Sequence, residues 1–123
     1  HNPMKVLTSG AELLVDQPFY IGGRWRMIAR SAWWVHYQDE LPVIIGHYWR
    51  NFKMTEEKTG FFKYIDVVHW FGQKKNVFCV DYSVGKRYVD RQYNRAYTSQ
   101  LIALRFPENI LLSETGEQWE TSN

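Results

Sequence analysis

The chain has few cysteines, no long apolar run and little net charge, features that each characterise a class of protein. Its single cysteine, Cys79, excludes an internal disulfide framework, which fits a reducing compartment. No apolar run approaches the roughly 18 residues that a membrane span requires. The 15 basic and 13 acidic residues leave a net charge of only +2, a weak basis for phosphate-backbone binding. We therefore expect a soluble, cytoplasmic protein with no membrane partner, for which nucleic acid is an unfavoured partner.

Aromatic side chains, in contrast, are abundant. They make up 17% of the residues, and 45% of all residues are hydrophobic, so most of the chain is expected to pack rather than to be disordered. A length of 123 residues supports one domain or a piece of one. With no repeat and no linker, residues 1–123 are treated as a single partial domain, and the polar segment 113–123 is expected to fray.

Local patterns favour strands over helices. The pair Gly22-Gly23 lies between Phe19–Ile21 and Trp25–Ile28 and predicts a hairpin, because primed turns need positive φ. The clearest helix is predicted near 31–40, between a Ser31 cap and the stop at Pro42. The run 61–71 is apolar, but its mixed periodicity selects neither strand nor helix. Further short strands are predicted at residues 42–46, 77–82 and 99–106.

Three of these segments resemble a known family in sequence and order. Pro42-Val43-Ile44-Ile45-Gly46-His47 is a strand that ends in Gly-His. Asn76 to Lys86 reads as a strand that ends in Asp81, followed by small residues and Gly-Lys, and Leu101-Ile102-Ala103-Leu104-Arg105 is a third strand. The chain resembles the C-terminal portion of the calcineurin-like metallophosphoesterases, closest to the bacterial branch that includes diadenosine tetraphosphatase and the serine/threonine protein phosphatases.

The resemblance implies an α+β (α/β) fold: the C-terminal part of a β-sandwich flanked by helices. It also implies two divalent metals (Mn, Fe, Zn or similar) about 3.5–4 Å apart, which hold a hydroxide for attack at phosphorus. The family's upstream metal-binding motifs, Asp-x-His, Gly-Asp-x-x-Asp-Arg-Gly and Gly-Asn-His-Asp/Glu, do not occur in this chain. We therefore expect the chain alone to be inactive, and either to self-associate or to need the N-terminal half of the same domain for stability.

Particular residues take roles from this resemblance. His47 corresponds to a metal ligand, although a lone histidine is more often a core or loop residue. Gly46 and Asp81 are expected to support it, Asp81 by orienting backbone or the histidine. The substrate-binding candidates are Tyr48, Arg50, Tyr82 and Lys86; for Arg50 a surface charge, and for Lys86 the exposed start of a loop, are the alternatives. The segment 87–98 is longer than the short hairpin that is common in the family.

Three functions remain open from the sequence. The first is hydrolysis of a phosphomonoester, a nucleoside polyphosphate or a phosphoprotein by the intact protein. The second is a non-catalytic binding or regulatory module derived from the same fold. The third is a basic-aromatic domain that binds nucleic acid through residues such as Trp25 and Arg26.

Overall fold

Strands dominate the structure. The computed structural model describes residues 3, 4, 6, 10–52 and 60–123. The seven strands of these ranges are β1 (Glu12–Ile21), β2 (Arg24–Arg30), β3 (Val43–Ile45), β4 (Val77–Cys79), β5 (Ile102–Arg105), β6 (Ile110–Ser113) and β7 (Gln118–Glu120). Between these strands in the chain lie two 3-10 helices, at Trp33–His36 and Val84–Lys86, and an α-helix, α1 (Arg87–Gln92). The strand-rich, mixed character is as predicted; the sandwich topology stays a prediction.

The first two strands form an antiparallel ribbon around the Gly22-Gly23 turn. Gly22 and Gly23 have φ values of +60° and +77°, the left-handed conformation that a primed turn requires at both positions. Ile21 pairs with Arg24 and Tyr20 with Trp25, and the register shifts between Leu14 and Phe19. The predicted hairpin is confirmed, and its strands extend beyond the predicted runs.

Strands β3 and β4 pair in parallel and separate two cores. Val77 and Cys79 pack into one cluster, whereas Phe78 between them packs into the other, because successive side chains of a strand point to opposite faces. The first cluster is centred on Trp34 and includes Tyr48, Phe62 and Phe71. The second joins Trp70, Tyr82, Ile102 and Leu111 to the antiparallel sheet of β5, β6 and β7. Strand β4 is therefore buried on both sides.

The helix predicted near 31–40 is wrong in length and type. Only Trp33–His36 is helical, as one 3-10 turn, and Tyr37 is already extended. Side-chain amides from the chain beyond residue 70 bond carbonyl groups of this segment, including that of Val35, which a longer helix would use internally. Gln73 Nε2 donates to the Val35 carbonyl, and Asn76 Nδ2 donates to the carbonyls of Asp39 and Leu41. Tertiary contacts override the local pattern here.

The polar end of the chain and the run 61–71 meet in the structure. Residues 113–123 were expected to fray, but β7 pairs with β6 and Trp119 packs against Phe52. The indole of Trp70 donates to Thr121 Oγ1 at 2.9 Å, and Ser122 bridges to His69. The run 61–71 forms turns and isolated bridges rather than a regular element.

Within the described ranges, no helix is both long enough and apolar enough to cross a membrane. The cytoplasmic location remains a prediction.

Candidate functional site

The candidate site lies where β3 and β4 end. The two strands are parallel, with Ile45 opposite Cys79, so the residues that follow each strand emerge at the same sheet edge. His47 follows β3 after Gly46, and Asp81 follows β4 after Val80. The amide of Val80 donates to the Ile45 carbonyl at 3.0 Å and extends the pairing to this edge. Ligand sites in open parallel sheets commonly form at such strand ends.

Asp81 joins the two loops that leave these strands. Its Oδ2 accepts a hydrogen bond from the Trp49 amide at 3.1 Å, and its Oδ1 accepts one from the Ser83 amide at 2.9 Å. The backbone carbonyl of Asp81 accepts a hydrogen bond from the Arg50 amide. The Arg50 carbonyl in turn accepts a hydrogen bond from the Ser83 hydroxyl. Asp81 therefore orients backbone, one of the two roles expected from the sequence.

The conformation of the joined loops is unusual. His47, Trp49 and Ser83 have φ values of +66°, +57° and +61°. Residues other than glycine rarely adopt this left-handed backbone region, and for bulky residues it costs about 1–3 kcal/mol each. The Asp81 carboxylate accepts hydrogen bonds from the Trp49 and Ser83 amides and so holds two of these three residues in place. Strained residues concentrated at a strand end are a feature of functional sites.

His47 itself is exposed and lines a cavity of about 680 Å³. No hydrogen bond joins its imidazole to another described residue, and its nearest aromatic neighbour is Trp49, with ring centroids 6.5 Å apart. The cavity is the size of many small-ligand sites. Its walls are mainly apolar and comprise Val6, Gly10, Ala11, Trp33, Tyr37, Val43, Ile44, Ile45, Gly46, His47 and Tyr48.

Arg50 and Tyr82, two of the substrate-binding candidates, are placed inside the protein. Each is 1% exposed. The Arg50 guanidinium donates through Nη2 to the carbonyls of Ile65 and Asp66, at 2.7 and 2.5 Å, and lies 4.7 Å from the Phe62 ring centroid. The expected surface position of Arg50 is therefore not observed. Its Nη2 bonds the fold, and the buried guanidinium is not open to a substrate.

The two tyrosine candidates are also held by backbone carbonyls. Tyr82 donates its hydroxyl to the Val67 carbonyl at 2.8 Å, and burial raises the pKa of that hydroxyl well above its usual value. Tyr48 is buried and donates to the Ser31 carbonyl at 3.1 Å, and the Arg30 guanidinium carbon lies 5.4 Å from its ring centroid. The ring of Tyr48 still forms a cavity wall.

Lys86 lies on the surface at the start of the segment that departs from the family pattern. Its Nζ donates to Thr98 Oγ1 at 2.8 Å and lies 3.9 Å from the buried Asp90 carboxylate. The segment 87–98 begins with α1, and its last residue, Thr98, lies beside Lys86 again. This geometry matches the exposed start of a loop, the alternative given for Lys86 above.

Several residues of the site carry no sequence signal. Ser83 bonds the Arg50 carbonyl across 33 positions in the chain, and Gly10 lines the cavity together with Trp33 and Tyr37 at the two ends of the first 3-10 helix. Only the positions of Gly46, His47 and Asp81 after apolar strands pointed to this edge.

As a metal centre, the described part of the chain supplies one donor and not a set. The exposed imidazole of His47, which has no hydrogen-bond partner among the described residues, is a suitable ligand for a divalent transition metal. No group of three or more His, Cys, Asp or Glu side chains in residues 10–52 and 60–123 is arranged to hold an ion. No catalytic step follows for the chain by itself.

Comparisons with protein-family models, with curated proteins and with solved structures each find no match.

Gly10 provides a test of how the cavity is built. Its φ is +78°, and a Cβ atom there would lie 2.9 Å from the Tyr48 hydroxyl oxygen. We expect Gly10→Ala to lower the free energy of unfolding by about 1–3 kcal/mol, from backbone strain and a disturbed Tyr48–Ser31 bond. Gly46→Ala is the matched control, because its Cβ would meet nothing closer than 4.0 Å. Urea denaturation compares the two, and equal costs would contradict the packing described.

Tyr82 predicts a loss of stability at high pH. In the unfolded chain the Tyr82 hydroxyl ionises at a pH of about 10, whereas in the folded state it stays protonated above that pH. The free energy of unfolding therefore contains its full contribution below pH 10 and falls above it, by up to about 1.4 kcal/mol per pH unit. In urea melts at pH 9 to 11, Tyr82→Phe is expected to flatten this fall. The exposed Tyr88→Phe should leave it unchanged; an equally steep fall in Tyr82→Phe would refute the assignment.

Proposed function

We propose that the chain contributes a metal-ligating histidine, His47, to the two-metal centre of a phosphoesterase. The observation that carries this proposal is the position of His47. Its imidazole is unpaired and exposed at the end of β3, on the wall of a ligand-sized cavity, beside the Asp81 loop that ends the parallel strand β4. The substrate class is a phosphomonoester, a nucleoside polyphosphate or a phosphoprotein.

The residues of the chain divide into three roles under this proposal. His47 would bind one of the metals through a ring nitrogen; bound metals polarise the phosphoryl group and supply a nucleophilic hydroxide. Asp81 holds the Trp49 and Ser83 amides and so fixes the direction in which the loop presents His47. The apolar cavity walls exclude water from one side of the site. The remaining ligands would come from the N-terminal half of the same domain.

The reading frame upstream of His1 is the first test. We expect it to encode the Asp-x-His and Gly-Asp-x-x-Asp-Arg-Gly motifs that the family needs for the other ligands. A start codon directly before this segment would count against the phosphoesterase and favour the non-catalytic binding module.

Activity is the second test. In the full-length gene product, His47→Ala is expected to lower manganese-dependent hydrolysis of p-nitrophenyl phosphate by at least about a hundredfold, since a metal ligand is lost. His36→Ala, which removes another exposed histidine, is the matched control and should retain full activity. Turnover by the 123-residue chain alone that disappears in His47→Ala would overturn the expectation of an incomplete site.

A further inference from the structure

The tip of the β1–β2 ribbon exposes a group of large apolar side chains. Tyr20, Ile21, Trp25 and Met27 are each 58–69% exposed, and grouped apolar side chains on a surface commonly mark an interaction site. The rings of Tyr20 and Trp25 pack edge to face across the strands, with centroids 5.6 Å apart. Both outer edges of the ribbon are unpaired within the described residues. A two-stranded ribbon of this kind is marginal without a partner.

The two faces of the tip differ in charge but not in apolar exposure. Cross-strand pairing places Tyr20 beside Trp25 on one face. The alternate positions on the other face pair Ile21 with Arg24 and Phe19 with Arg26. Between Phe19 and Arg30 the chain has three arginines and no acidic residue. The tip therefore combines apolar groups on both sides with positive charge.

These properties narrow the kind of partner. A flat protein surface or a nucleic-acid strand covers one face of a ribbon, whereas here exposed apolar side chains lie on both faces and two arginines lie on one of them. Aliphatic groups such as Ile21 and Met27 offer nothing to a stacked base. An anionic lipid surface accepts all of them, because aromatic and aliphatic side chains enter the interface while arginines contact lipid phosphates.

We propose that the ribbon tip binds end-on to an anionic lipid surface. Tyr20, Ile21 and Trp25 enter the headgroup layer, and Arg24 and Arg26 pair with lipid phosphates. The strand edges stay at headgroup depth, where water satisfies their unpaired amides and carbonyls. The sequence-based expectation of no membrane partner rested on the lack of a spanning segment, which a peripheral contact does not need. The proposal does not depend on the phosphoesterase function.

The base of the ribbon connects this surface to the candidate site. The amide of Ser31 donates to the Ala11 carbonyl at 2.9 Å, and the Ser31 carbonyl accepts from the Tyr48 hydroxyl. Tyr48 directly follows His47. A lipid contact at the tip would thus orient the His47 cavity relative to the lipid surface.

Vesicle sedimentation with the 123-residue chain tests the proposal. We expect binding to phosphatidylcholine vesicles that contain phosphatidylserine and little binding to phosphatidylcholine alone. Arg24→Glu with Arg26→Glu, which changes the formal net charge from +2 to −2, should weaken binding by at least about thirtyfold. Ile21→Ser with Trp25→Ser should weaken it at constant charge.

The matched control is Arg95→Glu with Arg105→Glu, the same change in net charge on exposed sites away from the ribbon. It should retain most of the binding, and circular dichroism confirms that each variant is folded. Equal losses in the tip and control variants would overturn the proposal, as would wild-type chain that does not sediment. Binding of a single-stranded oligonucleotide, or dimerisation, that only the tip variants abolish would assign the tip to that partner instead and also overturn it.

Discussion

Trp34→Ala is expected to lower the free energy of unfolding by about 3–5 kcal/mol, the range for truncating a large buried aromatic residue. Trp34 is 2% exposed and stacks on Phe62, with ring centroids 5.7 Å apart and planes 12° apart. It also meets Tyr48 and Phe71 edge to face, at 5.0 and 5.2 Å. Its removal would leave a cavity between the 3-10 helix and β4 that these neighbours cannot close.

Urea denaturation followed by far-UV circular dichroism measures this loss. Trp25→Ala is the matched control, because the same side chain is removed from an exposed position, where truncation changes stability by about 0.5 kcal/mol or less. A loss in Trp34→Ala no larger than that in Trp25→Ala would contradict the first core cluster. Tyr48 belongs to this cluster and also lines the cavity beside His47. The loss of stability in Trp34→Ala should therefore be accompanied by looser packing of that cavity wall.

The second large effect is expected at Arg50. Arg50→Met keeps much of the apolar stem but removes the guanidinium and its two bonds to the carbonyls of Ile65 and Asp66, of which the Asp66 carbonyl keeps the bond from the His69 amide. We expect the free energy of unfolding to fall by about 3 kcal/mol or more, because two hydrogen bonds to a charged group are lost and each contributes about 1.5–3 kcal/mol. Stability measurements at constant pH check this value.

Two further variants make the Arg50 test specific. Arg50→Lys should recover only part of the loss, since an ammonium group cannot reproduce the planar fork of donors or its contact with the Phe62 ring. Arg105→Met, at a half-exposed arginine near Glu108, should cost little. If Arg50→Met were as stable as Arg105→Met, the guanidinium would not hold the fold together as described.

Local signals predicted several elements of the fold. The Gly22-Gly23 pair needs positive φ and specified the ribbon turn, and the β-branched run Val43–Ile45 specified a strand that stops at Gly46. Contacts between distant residues decided the rest. In the segment near 31–40 the Gln73 amide bonds the Val35 carbonyl, which a longer helix would use internally, and no local pattern shows this contact.

The same distinction applies to the candidate site. His47 and Asp81 follow apolar strands, so their shared edge was predictable once the strands were taken as parallel. The burial of Arg50 was not, because its carbonyl acceptors come from residues 65 and 66, and the ring beneath it from Phe62. An arginine after a strand has the same sequence signature whether it faces a phosphate or fills a core.

We propose that His47 is a metal ligand held at the end of β3. The most direct test is the manganese stoichiometry of the full-length gene product, measured by calorimetric titration of the metal into wild type, His47→Ala and the His36→Ala control. We expect His47→Ala to lose or severely weaken one of two metal equivalents while His36→Ala keeps both. Two equivalents bound with unchanged affinity in His47→Ala would contradict it.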